Sequence, residues 1–335
     1  MSATEIDVLS VGDIVTDAFI RLQDDQAKIV KDKDTPWLTM PFGVKIPFDH
    51  AEVIEAVGNA ANASVSFARL GLKSALMANV GGDQHGRDMF AALHKNHVDT
   101  RLMHVNPGKI SNYHYVLWYK NERTILIKHE KYPYHWPHLR PHELPKWVYF
   151  SSISKDALGF HDDMAEWLEK HPEVKLAFQP GTFQIEAGKK RLERLYKRSE
   201  LLAVNREEAV TISGGKHDDI GDLLDRLHSL GPKIVVISDG PDGAYASDGQ
   251  QRLKMPIYPD PSPPYERTGA GDAFTSTFVA AIIKGSDIAG ALQWAPINSM
   301  SVVQYVGAQK GLLTEAQLSH LLRQSPAWYR PTPLK

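Results

Sequence analysis

Short apolar runs alternate with helical patterns through the second half of this chain, and the alternation limits the fold more than any other feature. The runs lie at 147–150, 174–178, 201–204 and 234–238, with helical patterns near 161–170, 187–198 and 219–230. Strands separated by helices pair in parallel, because each helix carries the chain back to the starting edge of the sheet. We therefore predict an α/β fold with a doubly wound, mainly parallel sheet, which binds ligands at the carboxyl ends of its strands.

The first strand is predicted near the N-terminus. Ile6 to Val11 forms a buried apolar run that ends at Gly12, and Asp13 and Asp17 follow it. Aspartate after glycine is common in turns, whereas a carboxylate just beyond a strand can contact a ligand. Both interpretations stay open on the residues alone.

Two other stretches have the alternating apolar pattern of strands with one covered face. One runs from Leu38 to Phe48, and the other is a hairpin with strands at 113–119 and 124–127 and a turn at 120–123. We expect them to form one small sheet that stands off from the main domain, although an extension of the main sheet is the alternative. Their aromatic residues could stack on a nucleobase or pack within the sheet. These aromatic residues are Trp37, Phe42, Tyr113, Tyr115 and Trp118.

Composition fits a soluble globular protein. The 335 residues are 42% hydrophobic and 23% charged, and a formal charge of -2 gives no electrostatic reason to expect nucleic acid or an anionic membrane as partner. The chain has no cysteine, which excludes disulfides and thiolate chemistry. We expect a cytoplasmic enzyme, because the first residues lack the basic and apolar regions of a signal peptide.

Histidines gather in one segment, at His129, His135, His138 and His142. The segment also contains three prolines and lacks the regular spacing of a ligand cluster, so an exposed loop is favoured over a metal site. A metal centre is therefore not predicted there.

The stretch from Arg267 to Phe274, Arg-Thr-Gly-Ala-Gly-Asp-Ala-Phe, leads into an apolar run that suits a buried helix. A glycine-lined turn at a helix start lets backbone N–H groups converge where the helix dipole is positive, which forms an anion site. Asp272 would repel a bound phosphate unless it takes a proton from the group that attacks that phosphate. A first-turn residue without a catalytic role is the equally supported alternative.

This octet resembles the C-terminal signature of the ribokinase-like (PfkB) family of carbohydrate and nucleoside kinases, usually Asp-Thr-Thr-Gly-Ala-Gly-Asp-Ala-Phe. The resemblance implies that Asp272 is the catalytic base. It also implies that the backbone of Gly269, Ala270, Gly271 and Asp272 forms the anion hole for the transferred phosphate.

The resemblance extends over nearly the whole chain and implies a ribokinase-like fold. A single kinase domain over 1–330 would carry insertions at about 18–50 and 108–130, and these would form a small β-sheet lid over the substrate. Two copies could pair through this lid as a homodimer.

On the acceptor side, the resemblance implies that Asp17 hydrogen-bonds sugar hydroxyls. The small-residue helix at 56–71 resembles the Gly-Gly-x-x-x-Asn segment of the family, with Gly58 and Asn62 in substrate-contacting positions and a valine in place of the first glycine. Asn59 is included among the predicted acceptor-binding residues. From the residues alone, Asn59 is a helix N-cap and Asn62 a packing residue.

A magnesium site is implied at the end of the strand near 201–204. Asn205-Arg206-Glu207-Glu208 resembles the Asn-x-x-Glu motif of the family, in which Asn205 and Glu208 would orient Mg²⁺ largely through water. The alternative is an N-cap asparagine followed by acidic first-turn residues.

Nucleotide contacts are implied by two further segments. The Gly-rich turn after the run at 234–238 resembles the nucleotide-side loop of the family and would place Ser238, Gly240 and Gly243 against ATP. Asn298, on a long helix predicted over 289–306, would face the adenine.

Dependence on potassium is doubtful. Many ribokinase-like kinases hold K⁺ beside the anion hole through the aspartate that opens the signature, whereas Glu266 and Arg267 stand where the family usually has Asp and Thr. A guanidinium cannot be deprotonated and would repel a nearby cation, while it could supply the same electrostatic support to the loop. The alternative is that Arg267 points to solvent.

These inferences predict an enzyme that phosphorylates a hydroxyl of a small sugar with ATP and Mg²⁺. A nucleoside kinase is the alternative within the same class. A sugar- or nucleotide-binding protein that has lost catalysis is the alternative of another class, although a pure binder would not need Asp272. Neither nucleic acid nor membrane is expected as a partner.

Overall fold

Nine strands form the main sheet of the computed structural model, which describes residues 5–33, 35–120 and 122–334. In spatial order they are β17 (Thr332–Pro333), β16 (Arg252–Met255), β15 (Ala244–Ser247), β14 (Ile234–Ser238), β13 (Ser199–Asn205), β12 (Lys175–Phe178), β11 (Pro145–Phe150), β1 (Ile6–Val11) and β6 (Ser74–Met77). The strands from β14 to β6 pair in parallel, and those from β14 to β17 pair antiparallel. The predicted α/β fold is confirmed, and the antiparallel edge is an addition that the β-α alternation did not indicate.

Helices cover both faces of this sheet. They are α1 (Asn59–Arg69), α2 (Gln84–Lys95), α3 (Leu158–Lys170), α4 (Thr182–Ala187), α5 (Glu193–Arg198), α6 (Arg206–Ser213), α7 (Ile220–His228), α8 (Ala270–Ile283), α9 (Ile288–Val302) and α10 (Glu315–Arg323). Successive strand residues alternate between two cores: Phe150 packs with α3 and α7, whereas Tyr149 packs with α1, α8 and α9. No helix within the described ranges has the length and apolar character that a membrane crossing requires.

A second sheet of four strands forms the lid, in the order β10 (Glu122–Leu126), β9 (Tyr113–Tyr119), β2 (Val15–Leu22) and β5 (Phe48–Val57). A separate hairpin joins β3 (Lys28–Asp32) to β4 (Thr35–Thr39), and a short parallel pair joins β7 (Asn79–Gly81) to β8 (His104–Asn106). The small sheet predicted to stand off from the main domain is therefore confirmed. The predicted hairpin is present as β9 and β10, but its second strand runs from Glu122 to Leu126 rather than over 124–127, and residue 121 of its turn lies outside the described residues.

Two further boundaries in and beside the lid were predicted wrongly. The expected strand from Leu38 to Phe48 does not exist, because β4 ends at Thr39 and β5 begins only at Phe48. Met40, Phe42 and Val44 between them are exposed rather than packed on a face, Phe42 fully so, and Ile46 is half-buried. In addition, β5 continues to Val57, so α1 begins at 59 rather than at 56.

Candidate active site

The signature loop enters α8 through a glycine that no other residue could replace without strain. Gly269 has a φ of 80° in the left-handed region and is the N-cap of the helix. A Cβ on this residue would lie 2.2 Å from the Cβ of Ala308. The loop therefore brings backbone N–H groups to the positive end of the helix dipole, as an anion site requires.

Asp272 lies in the first turn of α8 and is only 8% exposed. Its two oxygens accept hydrogen bonds from side-chain amides: Nδ2 of Asn59 lies 2.8 Å from Oδ1, and Nδ2 of Asn62 lies 2.8 Å from Oδ2. Burial raises the pKa of Asp272, while the amides of Asn62, Asn59 and Gln179 oppose that rise. The result is a fixed carboxylate that is more basic than an exposed aspartate.

The amides that hold Asp272 come from the start of α1, where the sequence interpretation needs correction. Gly58, rather than Asn59, is the N-cap of α1, with a φ of 106° that suits glycine. A Cβ on Gly58 would lie 2.8 Å from the carbonyl oxygen of Asp13. Nor is Asn62 a simple packing residue, because its Oδ1 also accepts from Nε2 of Gln309 at 3.1 Å.

Asp17 lies within β2, so its interpretation as a turn residue is wrong. The side chain is buried, and Nδ1 of His114 lies 3.3 Å from its Oδ1 without forming a hydrogen bond. The other ring nitrogen of His114, Nε2, is also buried without a partner. Unpaired polar atoms in a buried site are costly, and hydroxyl groups of an acceptor could satisfy both of them.

Asp13, in contrast, has its hydrogen-bonding capacity used within the protein. It accepts from the Tyr134 hydroxyl at 2.7 Å and from the Ser154 backbone N–H at 2.8 Å, and Nδ1 of His129 lies 3.3 Å away. The rings of His129 and His114 are 5.2 Å apart. Asp13 therefore holds the connection after β1 in place, and the histidine-rich segment brings one half-buried imidazole beside Asp13 and His114.

Neither His114 nor His129 was selected from the sequence. The signal for His114 was present in the alternation of the hairpin, because Asp17 pairs with His114 in the register of β2 and β9 and so shares one face of the sheet. No comparable pattern marks His129, whose segment has no regular secondary structure. The side chain of His142, predicted in the same loop, lies outside the described part of the chain.

Asn205 and Glu208 form a reciprocal cap at the start of α6. Oδ1 of Asn205 accepts from the Glu208 backbone N–H at 2.8 Å, and the Asn205 backbone N–H donates to Oε2 of Glu208 at 2.9 Å. The local interpretation of this motif is therefore confirmed. Burial, then the neighbouring charges of Glu207 and Asp272, raise the pKa of Glu208, and a divalent cation nearby would offset that crowding of carboxylates.

Among the described residues, no group of three or more His, Asp or Glu side chains has the arrangement of a metal site. The magnesium role of Asn205 and Glu208 remains a prediction, and it needs ligands from water and phosphate. Such ligands suit a hard cation that dehydrates reluctantly.

A cavity of about 250 Å³ lies against the start of α8. Ser238, Gly240 and Gly243, the three predicted nucleotide-side residues, line it from the turn that follows β14. Ala270 and Gly271 line it from the signature loop. The predicted nucleotide loop and the predicted anion hole therefore open onto the same space.

Asn298 does not occupy the position that was expected of it. Its side chain is fully buried, with Nδ2 donating to Oγ1 of Thr277 at 2.7 Å and Oδ1 accepting from the Leu313 backbone N–H at 2.9 Å. Other residues of α9, including Ser299 and Met300, line the cavity instead. The prediction that Asn298 faces the adenine is thus corrected to a role in packing α9 on α8.

The residue that opens the signature, Glu266, is 3% exposed. Its Oε1 accepts from the Thr268 backbone N–H at 2.8 Å and from the Thr268 hydroxyl at 2.6 Å. The nearby cation is Arg123 on the lid, whose Nη1 lies 3.5 Å from the same oxygen. Arg267 is exposed and lines the cavity. Sequence reasoning considered Arg267 and missed Arg123.

Comparison with known proteins identifies the family to which this fold and site belong. A profile of the pfkB family carbohydrate kinases matches residues 49–315, which include the start of α1, the capped motif at α6 and the signature loop. The chain belongs to the pfkB family of carbohydrate kinases.

Individual relatives are distant in sequence and close in fold. An ATP-dependent 6-phosphofructokinase of Thermoanaerobacterium thermosaccharolyticum is 24% identical over 275 residues, which cover 75% of this chain and 80% of the relative. The structure of Arabidopsis thaliana ribokinase complexed with ribose and ATP matches with a TM-score of 0.78 at 19% identity, over 96% of this chain and 99% of that one. The Methanocaldococcus jannaschii nucleoside kinase matches with a TM-score of 0.74 at 18% identity and the same coverage.

Proposed function

We propose that this protein transfers a phosphoryl group from ATP to a hydroxyl of a small sugar. The observation that carries the proposal is the position of Asp272. Its carboxylate is held by amides from the start of α1, which lies next to the lid, and its helix begins at the loop that lines the cavity. A base between an acceptor side and an anion site is the arrangement that phosphoryl transfer to a hydroxyl requires.

In the proposed reaction, Asp272 takes the proton of the acceptor hydroxyl as its oxygen bonds to the γ-phosphorus of ATP. The bond from that phosphorus to the bridging oxygen of ADP breaks, so the products are a phosphate ester, ADP and one proton. The backbone N–H groups of 269–272 stabilise the charge that develops on the transferred group. The amides of Asn59 and Asn62 hold the carboxylate in the orientation that accepts the proton.

ATP and Mg²⁺ fit the residues on the donor side. Ser238, Gly240 and Gly243 would contact the nucleotide, and the start of α8 would receive its phosphates. When it is bound, Mg²⁺ supplies charge neutralisation on those phosphates. Glu208 would support it through water, and the neighbouring charges of Glu207 and Asp272 favour a cation there.

The acceptor side favours a polyol. Asp17 and His114 each have a buried polar atom without a partner, and His129 lies beside them with an unpaired Nδ1. Carboxylate and imidazole groups bind hydroxyls, whereas a nucleobase needs an apolar or aromatic slot as well. Asp17, Gly58, Asn59 and Asn62 would form the rest of this acceptor site.

A coupled assay of ADP release with Mg-ATP tests the proposal. The acceptors are ribose, fructose, fructose 6-phosphate, 2-keto-3-deoxygluconate, adenosine, inosine and cytidine. Turnover of a sugar supports the proposal, and turnover of a nucleoside alone would establish a nucleoside kinase instead. Binding of one compound without turnover of any would favour a binding protein that has lost catalysis. The variant Asp272→Asn is the control for contaminating kinases.

A further inference from the structure

One ion pair connects the lid to the phosphate-binding loop. Arg123 lies on β10, opposite Trp118 in the register of the lid sheet, and its guanidinium reaches Glu266 just before the loop. Glu266 holds Thr268 through two hydrogen bonds, and Gly269 follows directly. A change in the position of Arg123 would therefore act on the residue that leads into the anion hole.

The ion pair between Arg123 and Glu266 leaves one polar atom of each side chain without a hydrogen bond. A carboxylate that is 3% exposed needs a positive partner, and Arg123, at 3.5 Å, is its only ion-pair partner among the described residues. Oε2 of Glu266 and Nε of Arg123 are both buried and lack any hydrogen-bond partner. A side-on guanidinium–carboxylate fork joins these two atoms to each other and pairs Nη2 of Arg123 with Oε1 of Glu266, so the guanidinium must turn from the single contact that Nη1 makes now.

Other contacts hold the lid against the same part of the main domain. The rings of Trp118 and Tyr265 meet edge to face with their centres 5.2 Å apart. Phe19, Val116 and Trp118 of the lid pack with Val306 in one apolar cluster. The lid thus rests on residues next to the signature loop, so a movement of the lid that also turns the Arg123 guanidinium could pair its Nε with Oε2 of Glu266.

We propose that Arg123 is a positioning residue for phosphoryl transfer, which forms a side-on fork with Glu266 when the lid closes and thereby orders the loop that forms the anion hole. The proposal rests on the function proposed above. It assigns to the lid a part in catalysis as well as a part in covering the acceptor, because the phosphate-binding loop would be fully ordered only after closure.

The first test measures kcat and both KM values of Arg123→Ala, with Lys120→Ala as the matched control. Lys120 is exposed on the same hairpin and carries the same charge. We expect Arg123→Ala to lower kcat about tenfold, less than the loss of a direct anion-hole donor, with the KM for ATP nearly unchanged. Lys120→Ala should behave as the native enzyme. A native kcat in Arg123→Ala would overturn the proposal.

Chemical rescue and a double variant separate positioning from simple stabilisation. Added guanidinium ion should restore part of the rate of Arg123→Ala, and Arg123→Lys should keep part of it, because the charge remains without the fork. When Glu266→Gln is already present, Arg123→Ala should lower kcat little further, because the two residues act together. If the losses of rate in the two single variants add strictly in the double variant, and guanidinium does not rescue, Arg123 has only a structural role. That result would refute the positioning role.

Hydrogen exchange provides a readout that does not depend on turnover. The amides of 266–273 should exchange faster in Arg123→Ala than in the native protein, and at the native rate in Lys120→Ala. If no acceptor were turned over, the proposed function would fail, while this measurement would still decide whether Arg123 orders the loop. Unchanged exchange in Arg123→Ala would contradict the inference even if the enzyme proved to be a sugar kinase.

Discussion

On the donor side of Asp272, a cavity of about 250 Å³ is already open, and turns next to β14 and α8 line much of it. On the proposed acceptor side, Asp17 is buried on β2 and His114 is half-buried on the neighbouring lid strand β9, and each has a polar atom without a hydrogen-bond partner. The donor side is thus ready to receive a ligand, whereas the acceptor side gains its missing hydrogen bonds only when one is bound. Under the proposed function, the two sides should therefore respond to different substitutions.

The largest effect is expected at the residue between the two sides. Asp272→Asn should lower kcat by roughly 10²–10⁴, the usual contribution of general base catalysis, because the amide cannot accept the proton. Nucleotide binding should be retained, since the loop and its glycines are unchanged. Steady-state kinetics and ATP titration measure both quantities, and a near-native kcat would exclude Asp272 as the base.

The pH profile of the native enzyme gives a control for that result. Protonation of Asp272 should reduce the rate at acid pH, and the decline should begin above the range of an exposed aspartate because burial raises the pKa of this group. Activity should therefore rise with pH and then level off as the carboxylate forms. If the residual activity of Asp272→Asn declines at acid pH in the same way as the native activity, a group other than Asp272 causes the decline.

A substitution on the acceptor side should affect one substrate only. Asp17→Ala should weaken acceptor binding by about 1–3 kcal/mol, because hydroxyls in a closed site would lose their partner. The KM for ATP should change little. Equal increases in both KM values would contradict the separation of the two sides, and an unchanged acceptor KM would remove Asp17 from the acceptor site.

Asn298 should affect stability rather than nucleotide binding. Asn298→Ala leaves the Thr277 hydroxyl and the Leu313 N–H unpaired in the core and should lower the free energy of unfolding by about 1–3 kcal/mol. Denaturant unfolding measures this loss, and the KM for ATP should stay near the native value. A large increase in that KM with unchanged stability would return Asn298 to the nucleotide site.

The smallest effect is expected from removal of potassium. Initial rates in potassium and tetramethylammonium buffers of equal ionic strength should agree within about twofold, because fixed guanidinium charge stands beside the signature loop. Both Arg267 and Arg123 contribute to this expectation. Glu266→Asp combined with Arg267→Thr should make the rate depend on potassium. A several-fold lower rate of the native protein without potassium would refute the idea that guanidinium groups take the place of the cation.

Local patterns predicted the local parts of this molecule. The strands from Ile6 to Val11 and from Ile234 to Ser238, the glycine at the start of α8, and the cap formed by Asn205 and Glu208 all depend on neighbours within a few residues. Such features produce a periodicity or a residue spacing that can be recognised in the sequence before the fold is known.

The missed features depend on contacts between distant segments. The amides of Asn59 and Asn62 reach Asp272 across more than 200 residues of sequence, and Arg123 reaches Glu266 across more than 100. No local pattern fixes which side chains meet over such distances, since the register of the lid and its docking decide the outcome. The strand wrongly predicted after Leu38 is the converse case, in which the local pattern is present and the packing is not. Alternation of apolar residues does not show whether another part of the molecule covers them.

The edges of the main sheet also affect how the molecule behaves at high concentration. At one end, β17 is two residues long and includes Pro333, which has no N–H to donate to a further strand. At the other end, the backbone of Asp99 already pairs with Ser74 and Leu76 along the outer side of β6. Both ends are therefore blunted against strand addition, and aggregation by extension of this sheet is disfavoured.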